Sequence, residues 1–362
     1  MYKAIFTALN SVLPRIPEEQ RDEYLRDYHR EVESTGHILF MERDGQQVPY
    51  VKGNLIVDLI YLEDSNLVVF PSVPIVHSLR HRLIRHFSPT KMIPDLWIKG
   101  NCVTQILTKR KFEKYGHLLK WKKNERILEF GAADGNTSVN SVLPELPKDY
   151  KEYVLTDISP DMVAHMKKNL NIPRSRIIQH DIATIRLQEE FKNKFDHIFG
   201  IFVMHMVPNP RQGFINIKEM LKPGGQAFVS ILERTPMDHA FHHLLKYPKW
   251  SRYGHMLSPH YYSDNIEEAY KKDIEAAEFE SYSFHVEKDY PVWFENEENR
   301  RIVLTSVNNV LPRIPEELKD EYLKDYHKEI ERDGHIKLME KDGEQIPYVD
   351  MKLLVAIMNK QE

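Results

Sequence analysis

A glycine-rich turn that follows a carboxylate carries the clearest chemical signal in the sequence. The run ILEFGAADG at 127–135 is an apolar strand that ends near Glu129 and breaks into a turn held by Gly131 and Gly135. A dinucleotide or Walker loop needs the spacing GxGxxG or GxxxxGKS/T, and this turn has neither. Because Glu129 would repel phosphate and attract a cation, the turn favours a zwitterionic ligand that carries a sulfonium.

Two further acids end the next two predicted strands. Asp157 ends YVLTD at 153–157, and Asp181 ends RIIQHD at 176–181. In a parallel sheet such residues gather at the carboxyl edge, where ligands bind. We expect Asp157 to accept hydrogen bonds from vicinal ribose hydroxyls, and Asp181 to bind an adenine amine with Ile182 against the ring. Each acid alone could equally cap a helix, but three acids with one glycine-rich turn favour a nucleoside-containing cofactor.

The elements that must position these acids alternate from residue 101 onward. A helix is predicted near 102–120, and the strands are predicted at 126–130, 153–157, 176–181, 195–202, 226–232 and near 280–288. Ser159 and Pro160 open a helix with an apolar face after the second strand. This alternation predicts a Rossmann-like, doubly wound α/β sheet of seven strands with helices on both faces. Helices at 295–334 are expected to cross over to a last antiparallel strand near 347–358.

A segment near the N-terminus of the chain is repeated near the C-terminus. Residues 11–50 and 309–348 align at a constant offset of 298, with 27 of 40 positions identical. The strand candidate at 54–61 is then the counterpart of 351–358. We therefore predict a partial duplicate of the C-terminal segment at 1–62, a proline-punctuated linker at 63–99 and one main domain at 100–360. The basic stretch at 77–87 could be an amphipathic helix for an anionic surface or a solvated linker helix.

Composition narrows the classes of protein. A net charge of -4 gives no global attraction to nucleic acid, and the single cysteine, Cys102, excludes an internal disulfide. No apolar run is long enough for a membrane span, and the N-terminal residues lack a signal-peptide core, so a cytoplasmic location is expected. The histidines at 239–260 have no HExxH or Cys/His spacing, so no metal is predicted. A small-molecule substrate is expected, and the oligomeric state stays open.

The ordered series ILEFGAADG, LTDIS, QHDIA, FDHIFGIFVMHMV and LKPGG resembles that of class I S-adenosylmethionine-dependent methyltransferases. The more specific similarity, over about 100–360, is to the arthropod juvenile hormone acid O-methyltransferase group. The resemblance implies S-adenosylmethionine as the cofactor and methylation of a carboxylic acid such as a juvenile hormone, farnesoic or fatty acid. It implies His205 and Gln105 as catalytic residues. The implied cofactor-binding residues are Glu129, Gly131, Ala132, Ala133, Gly135, Asp157, Ile158, Asp181, Ile182 and Gly200.

Three positions depart from the family pattern. Ala133 replaces the middle glycine of the loop, which is tolerable if its φ is negative. Met204, His205 and Met206 occupy the positions at which the sequence of the hormone enzymes resembles Leu-His-Trp. Gln105 lies one residue after the position of the glutamine in the family sequences. These departures leave a catalytically silent binding protein of the same fold as an alternative.

The acceptor decides what His205 does. A carboxylic acid is already ionised at neutral pH, because its pKa is about 4, so His205 and Gln105 would only hold it by hydrogen bonds. A hydroxyl, phenol or amine acceptor remains possible, and for a hydroxyl or phenol His205 is the candidate base. The apolar residues of the insertion at 233–263 line a hydrophobic acceptor pocket or form a satellite core: Phe241, Leu244, Leu245, Tyr247, Trp250 and Tyr253.

Overall fold

The computed structural model describes residues 38–43, 46–51, 94–254, 257–332, 334–341 and 343–362. The chain divides into two units, residues 1–89 and residues 90–362. The predicted strand at 54–61, the basic stretch at 77–87 and the part of the N-terminal repeat before residue 38 lie outside the described residues. The limits of the predicted duplicate and linker therefore stay predictions.

The first unit contributes one antiparallel hairpin. Strand β1 (Ile38–Arg43) pairs with β2 (Gln46–Val51), and Arg43 faces Gln46 next to the Asp-Gly dipeptide at 44–45. In the second unit Lys341 faces Glu344 beside the Asp-Gly at 342–343. These pairs differ by the sequence offset of 298. The strands of the two copies therefore pair in the same register, as the Asp-Gly sequence between them predicts.

The second unit is built on one mixed sheet. Its strands are β3 (Arg126–Phe130), β4 (Glu152–Asp157), β5 (Ser175–Gln179), β6 (Phe195–Ile201), β7 (Leu221–Leu232), β8 (Ser281–Trp293), β9 (Lys337–Lys341) and β10 (Glu344–Asn359). Seven of them lie in the order β5-β4-β3-β6-β7-β10-β8, and β9 pairs with β10. Strands β3 to β7 are parallel, whereas β10 runs antiparallel to both of its neighbours. The predicted doubly wound sheet with a last antiparallel strand is confirmed.

Nine helices of the described residues surround this sheet. They are α1 (Pro94–Gly100), α2 (Cys102–Tyr115), α3 (Pro160–Asn169), α4 (Pro210–Met220), α5 (Pro236–Leu244), α6 (Pro248–Ser251), α7 (Ile266–Glu275), α8 (Glu297–Ser306) and α9 (Lys319–Glu331). Helices α4 and α7 share one buried apolar cluster with the sheet, and α2 and α3 share a second cluster with it. A third cluster joins α5, α6 and α9 to the first half of β10. None of the described helices is long and apolar enough to cross a membrane.

Local sequence explains where α3 begins and which face it buries. The Ser159 hydroxyl accepts a hydrogen bond from the Met162 amide at 3.3 Å, and Pro160 occupies the first turn. Both features satisfy or remove backbone donors at a helix start. Met162 and Met166 are buried beneath the helix, as their helical spacing predicts.

Several element limits differ from the predicted ones. Helix α2 ends at Tyr115, and a short 3-10 turn completes the predicted length. Strand β5 ends at Gln179 because its partner β4 ends at Asp157, so Asp181 lies beyond the ladder. Helix α1 begins within the predicted linker at 63–99 and ends at Gly100, and the predicted insertion contains α5 and α6.

Candidate active site

The glycine-rich turn after β3 has an unusual backbone. Gly131, Ala133 and Gly135 have φ values of +68°, +51° and +78°. A Cβ on Gly131 would lie 2.3 Å from Val203 Cγ2, and one on Gly135 would lie 2.3 Å from Leu170 Cδ1. Both glycines are therefore required by backbone conformation and by close packing.

The backbone conformation of Ala133 differs from the one in which an alanine would be tolerated without strain. The expectation was a negative φ, and the observed value of +51° lies in the left-handed region. That region costs an alanine about 1–2 kcal/mol, because its Cβ crowds the following carbonyl. The turn tolerates this residue in part because the Ala133 amide donates to the Asp157 carboxylate at 2.9 Å.

Asp157 lies at the carboxyl end of β4, as predicted, and is buried. One carboxylate oxygen accepts the Ala133 amide, and the other accepts the Ser159 amide at 2.8 Å. The pKa of Asp157 is raised, because the effect of burial exceeds the opposing effect of these backbone donors. A carboxylate has about four acceptor positions, so it can take both amides and the two hydroxyls of a ribose. The donor and acceptor set therefore fits the nucleoside part of S-adenosylmethionine.

Glu129 has a different environment from the one that the sequence suggests. Its side chain points to the same face of the sheet as Ile127, since strand residues two apart share a face. There the carboxylate accepts hydrogen bonds from Ser138 Oγ at 2.9 Å and from the Tyr153 hydroxyl. Burial raises the pKa of Glu129 to about 7, despite these two donors. Glu129 thus supports the turn from inside the core, and a direct contact with the cofactor stays a prediction.

The remaining predicted cofactor residues divide into two groups. Ile158 is half-buried, Ile182 is buried, and Asp181 is exposed with one oxygen accepting the Ala183 amide at 2.9 Å. These three residues follow neighbouring strands, as the prediction for an adenine site requires. Ala132 is buried, and a Cβ on Gly200 would lie 2.2 Å from Phe130 Cζ, so both positions are closely packed, and their contact with the cofactor stays a prediction.

His205 lies in a 3-10 turn directly after β6 and is buried. Its Nδ1 has no hydrogen-bond partner among the residues that the structure describes. Burial lowers the pKa of His205 to about 4, and the negative charge of Asp238 opposes this shift. His205 is therefore a neutral imidazole at physiological pH.

Asp238 is a residue that sequence reasoning did not identify. It belongs to the capping box of α5, in which its carboxylate accepts from the Thr235 amide and hydroxyl at 2.9 and 2.8 Å. It also accepts from the amide and hydroxyl of Ser258 at 2.8 Å each. The TxxD pattern of a helix start was visible in the sequence, but the approach of α5 to His205 depends on tertiary packing.

Gln105 lies in α2 with both ends of its carboxamide engaged. Its Nε2 donates to Asn101 Oδ1 at 2.8 Å, and its Oε1 accepts from Asn140 Nδ2 at 3.1 Å. The Asn101 amide in turn donates to Asp134, a buried acid of the turn that sequence reasoning also missed. An acid inside GAADG was a readable signal, because a carboxylate between two glycines needs donors when it is buried. A contact between Gln105 and an acceptor stays a prediction.

The aromatic insertion forms a satellite core. Phe241, Leu244 and Trp250 are buried in the third cluster, and the Trp250 ring meets Tyr322 edge to face at 5.3 Å. These three residues therefore do not line an open acceptor pocket. Within the described part of the chain, no group of histidines and acids has the arrangement of a metal site.

Comparisons with known proteins show which proteins this chain is similar to. A family model described as a methyltransferase domain matches residues 128–227. The juvenile hormone acid O-methyltransferase of Bombyx mori is 28% identical over 239 residues, which cover 64% of this chain and 84% of that protein. The enzyme of the same name from Drosophila melanogaster is 26% identical over 243 residues, which cover 64% and 80%.

A solved N-methyltransferase structure from Haemonchus contortus, in complex with S-adenosylhomocysteine, is 16% identical, with a TM-score of 0.44. The match covers 81% of this chain and 62% of that one.

Proposed function

We propose that this chain, a class I S-adenosylmethionine-dependent methyltransferase related to the juvenile hormone acid O-methyltransferases, methylates the carboxylate of a small apolar acid. The observation that carries the choice of acceptor is the state of His205. It is a buried, neutral imidazole at the carboxyl end of β6, with a pKa of about 4. Such a group is a weak base but a good hydrogen-bond donor.

The carboxylate acceptor matches this property of His205. An acid with a pKa of about 4 is ionised at neutral pH and has no proton to lose. His205 then only has to donate a hydrogen bond to the carboxylate, and a buried bond to a charged group is worth about 1.5–3 kcal/mol. The single N–H of a neutral imidazole suffices for this role.

The relatives support the same acceptor class. Both carry the name juvenile hormone acid O-methyltransferase, and the match spans 84% and 80% of their lengths. Methylation of an apolar carboxylic acid is therefore the simplest activity to propose for this chain. The specific acid is left to experiment.

The residues of this chain mainly position the cofactor and the acceptor, and they contribute little acid-base chemistry. When bound, S-adenosylmethionine supplies a methyl group on a cationic sulfur. Asp157 would accept the ribose hydroxyls of the cofactor, and the backbone of the turn at 131–135 would fix its approach. His205 would hold the acceptor oxygen toward the bound cofactor by a hydrogen bond from its imidazole N–H. Alignment of two reactants in this way is the main source of acceleration in a displacement that needs no base.

A hydroxyl acceptor is the second candidate, and one observation favours it. The Asp238 carboxylate lies close enough to His205 to stabilise its protonated form. An acid next to a histidine is the usual arrangement for a general base. Burial outweighs this effect, however, and keeps the pKa of His205 well below neutrality.

Three acceptors with one tail and different head groups separate these candidates. Dodecanoic acid, dodecanol and dodecylamine are incubated with the protein and labelled S-adenosylmethionine from pH 6 to pH 8, with farnesoic acid and farnesol as a second pair. We expect methyl transfer to the acids at a rate that is flat across this range. Transfer to the alcohol with a rate that rises with pH would overturn the carboxylate proposal. Cofactor binding by calorimetry without any transfer would favour a silent binding protein.

A further inference from the structure

Asp134 is a buried carboxylate in the middle of the cofactor turn, and neither the motif nor the resemblance gives it a role. Its oxygens accept hydrogen bonds from Trp97 Nε1 at 3.2 Å and from Asn101 Nδ2 at 2.9 and 2.8 Å. The backbone amide of Asn136 donates at 3.3 Å. These partners are neutral donors, so hydrogen bonds rather than an ion pair satisfy the charge.

The donors come from a part of the chain that is distant in sequence. Trp97 lies in α1, and Asn101 lies at the junction of α1 and α2. Asn101 continues the network to Gln105, whose carbonyl accepts from Ser141 Oγ at 3.1 Å just after the turn. The α1–α2 junction is thus attached to both ends of the segment 134–141.

We propose that Asp134 is a positioning residue that sets the affinity for the cofactor by fixing the turn against the α1–α2 junction. Asp134 lies between Ala133 and Gly135, which both have positive φ, and its carboxylate connects this backbone to Trp97 and Asn101. The Ala133 amide donates a hydrogen bond to Asp157, the residue that we propose to bind the ribose of the cofactor. A shift of Asp134 would therefore move the turn and Asp157 together.

The charge of Asp134 is what the arrangement requires. A carboxylate only accepts, whereas an asparagine would turn its amide group toward Trp97 Nε1 or Asn101 Nδ2, which are donors. Leaving a buried donor without an acceptor costs about 1–3 kcal/mol. Asp134→Asn thus loosens the junction without a change in side-chain size.

The test compares three single variants and one double variant by calorimetry with S-adenosylmethionine alone, so its result does not depend on the acceptor. We expect Asp134→Asn to weaken cofactor binding about tenfold, and Trp97→Phe, which removes one donor, to weaken it about threefold. Asp273→Asn is the matched control, because Asp273 is also a buried acid with two side-chain donors, Arg211 and His260. It should leave cofactor binding unchanged. The double variant should be no weaker than Asp134→Asn alone, since both changes break one network.

Hydrogen exchange adds a measurement that a purely structural role would not alter. In the wild-type protein the cofactor should slow amide exchange across residues 94–105, and this protection should be lost in Asp134→Asn. Cofactor affinity within twofold of wild type in Asp134→Asn, with only a lower unfolding temperature, would overturn the proposal. If Asp134→Asn does not fold, Trp97→Phe decides: unchanged affinity and unchanged protection would reject the role.

Discussion

Glu129, beside the cofactor turn, and His205, after β6, are both buried, and their pKa values are shifted in opposite directions. We call the region of the cofactor turn the cofactor half of the proposed site, and the region around His205 the acceptor half. In the cofactor half, burial raises the pKa of Glu129 to about 7. In the acceptor half, burial lowers the pKa of His205 to about 4. Both shifts favour the uncharged form, but Glu129 is uncharged when protonated and His205 when deprotonated. The stability of the two halves therefore depends on pH in opposite directions.

The difference reflects how each half is built. In the cofactor half, Glu129, Tyr153 and Ser138 lie on or next to adjacent strands, and the glycine turn sets the geometry through its backbone. In the acceptor half, the charge that acts on His205 is that of Asp238, which lies in α5 after β7. One half depends on backbone conformation and the other on side-chain packing, so the two should respond to different mutations.

The largest effect is expected in the cofactor turn. Gly131→Ala would place a Cβ 2.3 Å from Val203 Cγ2 at a φ of +68°, so both strain and collision oppose the turn. We expect cofactor binding to weaken by more than about a hundredfold, as measured by calorimetry. Gly116→Ala is the control, because its Cβ would meet only the Phe112 side chain, at 3.8 Å or more. Equal affinities of the two variants would show that the turn does not bind the cofactor.

His205 should give the next largest effect, confined to the acceptor. His205→Ala removes the proposed donor, and kcat/KM for an apolar acid should fall about tenfold to a hundredfold, the equivalent of 1.5–3 kcal/mol. His205→Gln retains an N–H and should recover part of this loss. The affinity for S-adenosylmethionine should stay within about twofold in both variants. A joint loss of cofactor affinity would mean that the two halves are coupled.

The sequence predicts the cofactor half better because its determinants are local. The strand, the two glycines and Asp157 follow from periodicity and spacing, and the structure confirms their elements. The direction of Glu129 was not foreseen, although the two-residue period of β3 places it with Ile127 inside the core.

The acceptor half resists prediction because its contacts join distant segments. His205 was identifiable from its position after β6, but the neighbouring Asp238 follows from the packing of α5, which local sequence does not specify. Phe241 and Trp250 have the composition of a pocket wall, yet they pack against Tyr326 and Tyr322 of α9. Apolar composition alone does not distinguish a ligand pocket from a core.

Glu129→Gln tests the opposite pH dependence directly. Because the pKa of Glu129 rises from 4.5 to about 7 on folding, the native state loses stability as pH rises through this window, by about 3 kcal/mol in full. The variant should therefore gain stability relative to wild type between pH 5 and pH 8, as measured by urea unfolding. His205→Gln should differ from wild type mainly between pH 6.5 and pH 4, where the buried histidine loses stability on acidification.

The same pair of proteins tests whether Glu129 attracts the cofactor. If its charge draws the cationic ligand, wild-type affinity should rise several-fold, up to about tenfold, from pH 6 to pH 8. The glutamine variant should then show a flat profile. Parallel profiles in the two proteins would leave Glu129 with a structural role only.

A smaller effect is expected from relief of strain at Ala133. Ala133→Gly removes a methyl group at a φ of +51°, and the added flexibility of the unfolded chain offsets the gain, so stability should stay within about 1 kcal/mol of wild type. The cofactor should bind equally well or about threefold more tightly, because the turn becomes more open to it. Ala132→Gly is the control: Ala132 is buried and has no positive φ, so this change should only destabilise. Weaker binding in Ala133→Gly would show that the methyl group contributes to the cofactor site.

The smallest effect is expected from removal of residues 1–93, which should leave cofactor affinity unchanged. The N-terminal copy carries Asp58 where β10 has Ala356, and Ala356 is fully buried in the sheet. If residues 54–61 took the place of β10 in this register, a carboxylate would be buried without a partner, so we do not expect the N-terminal copy to replace β10 in the sheet. A deletion that extends to residue 98 also removes Trp97 and its bond to Asp134. It should weaken cofactor binding about threefold, as Trp97→Phe does. Equal affinities after the two deletions would place the start of the functional domain beyond α1, at the limit that the sequence suggests.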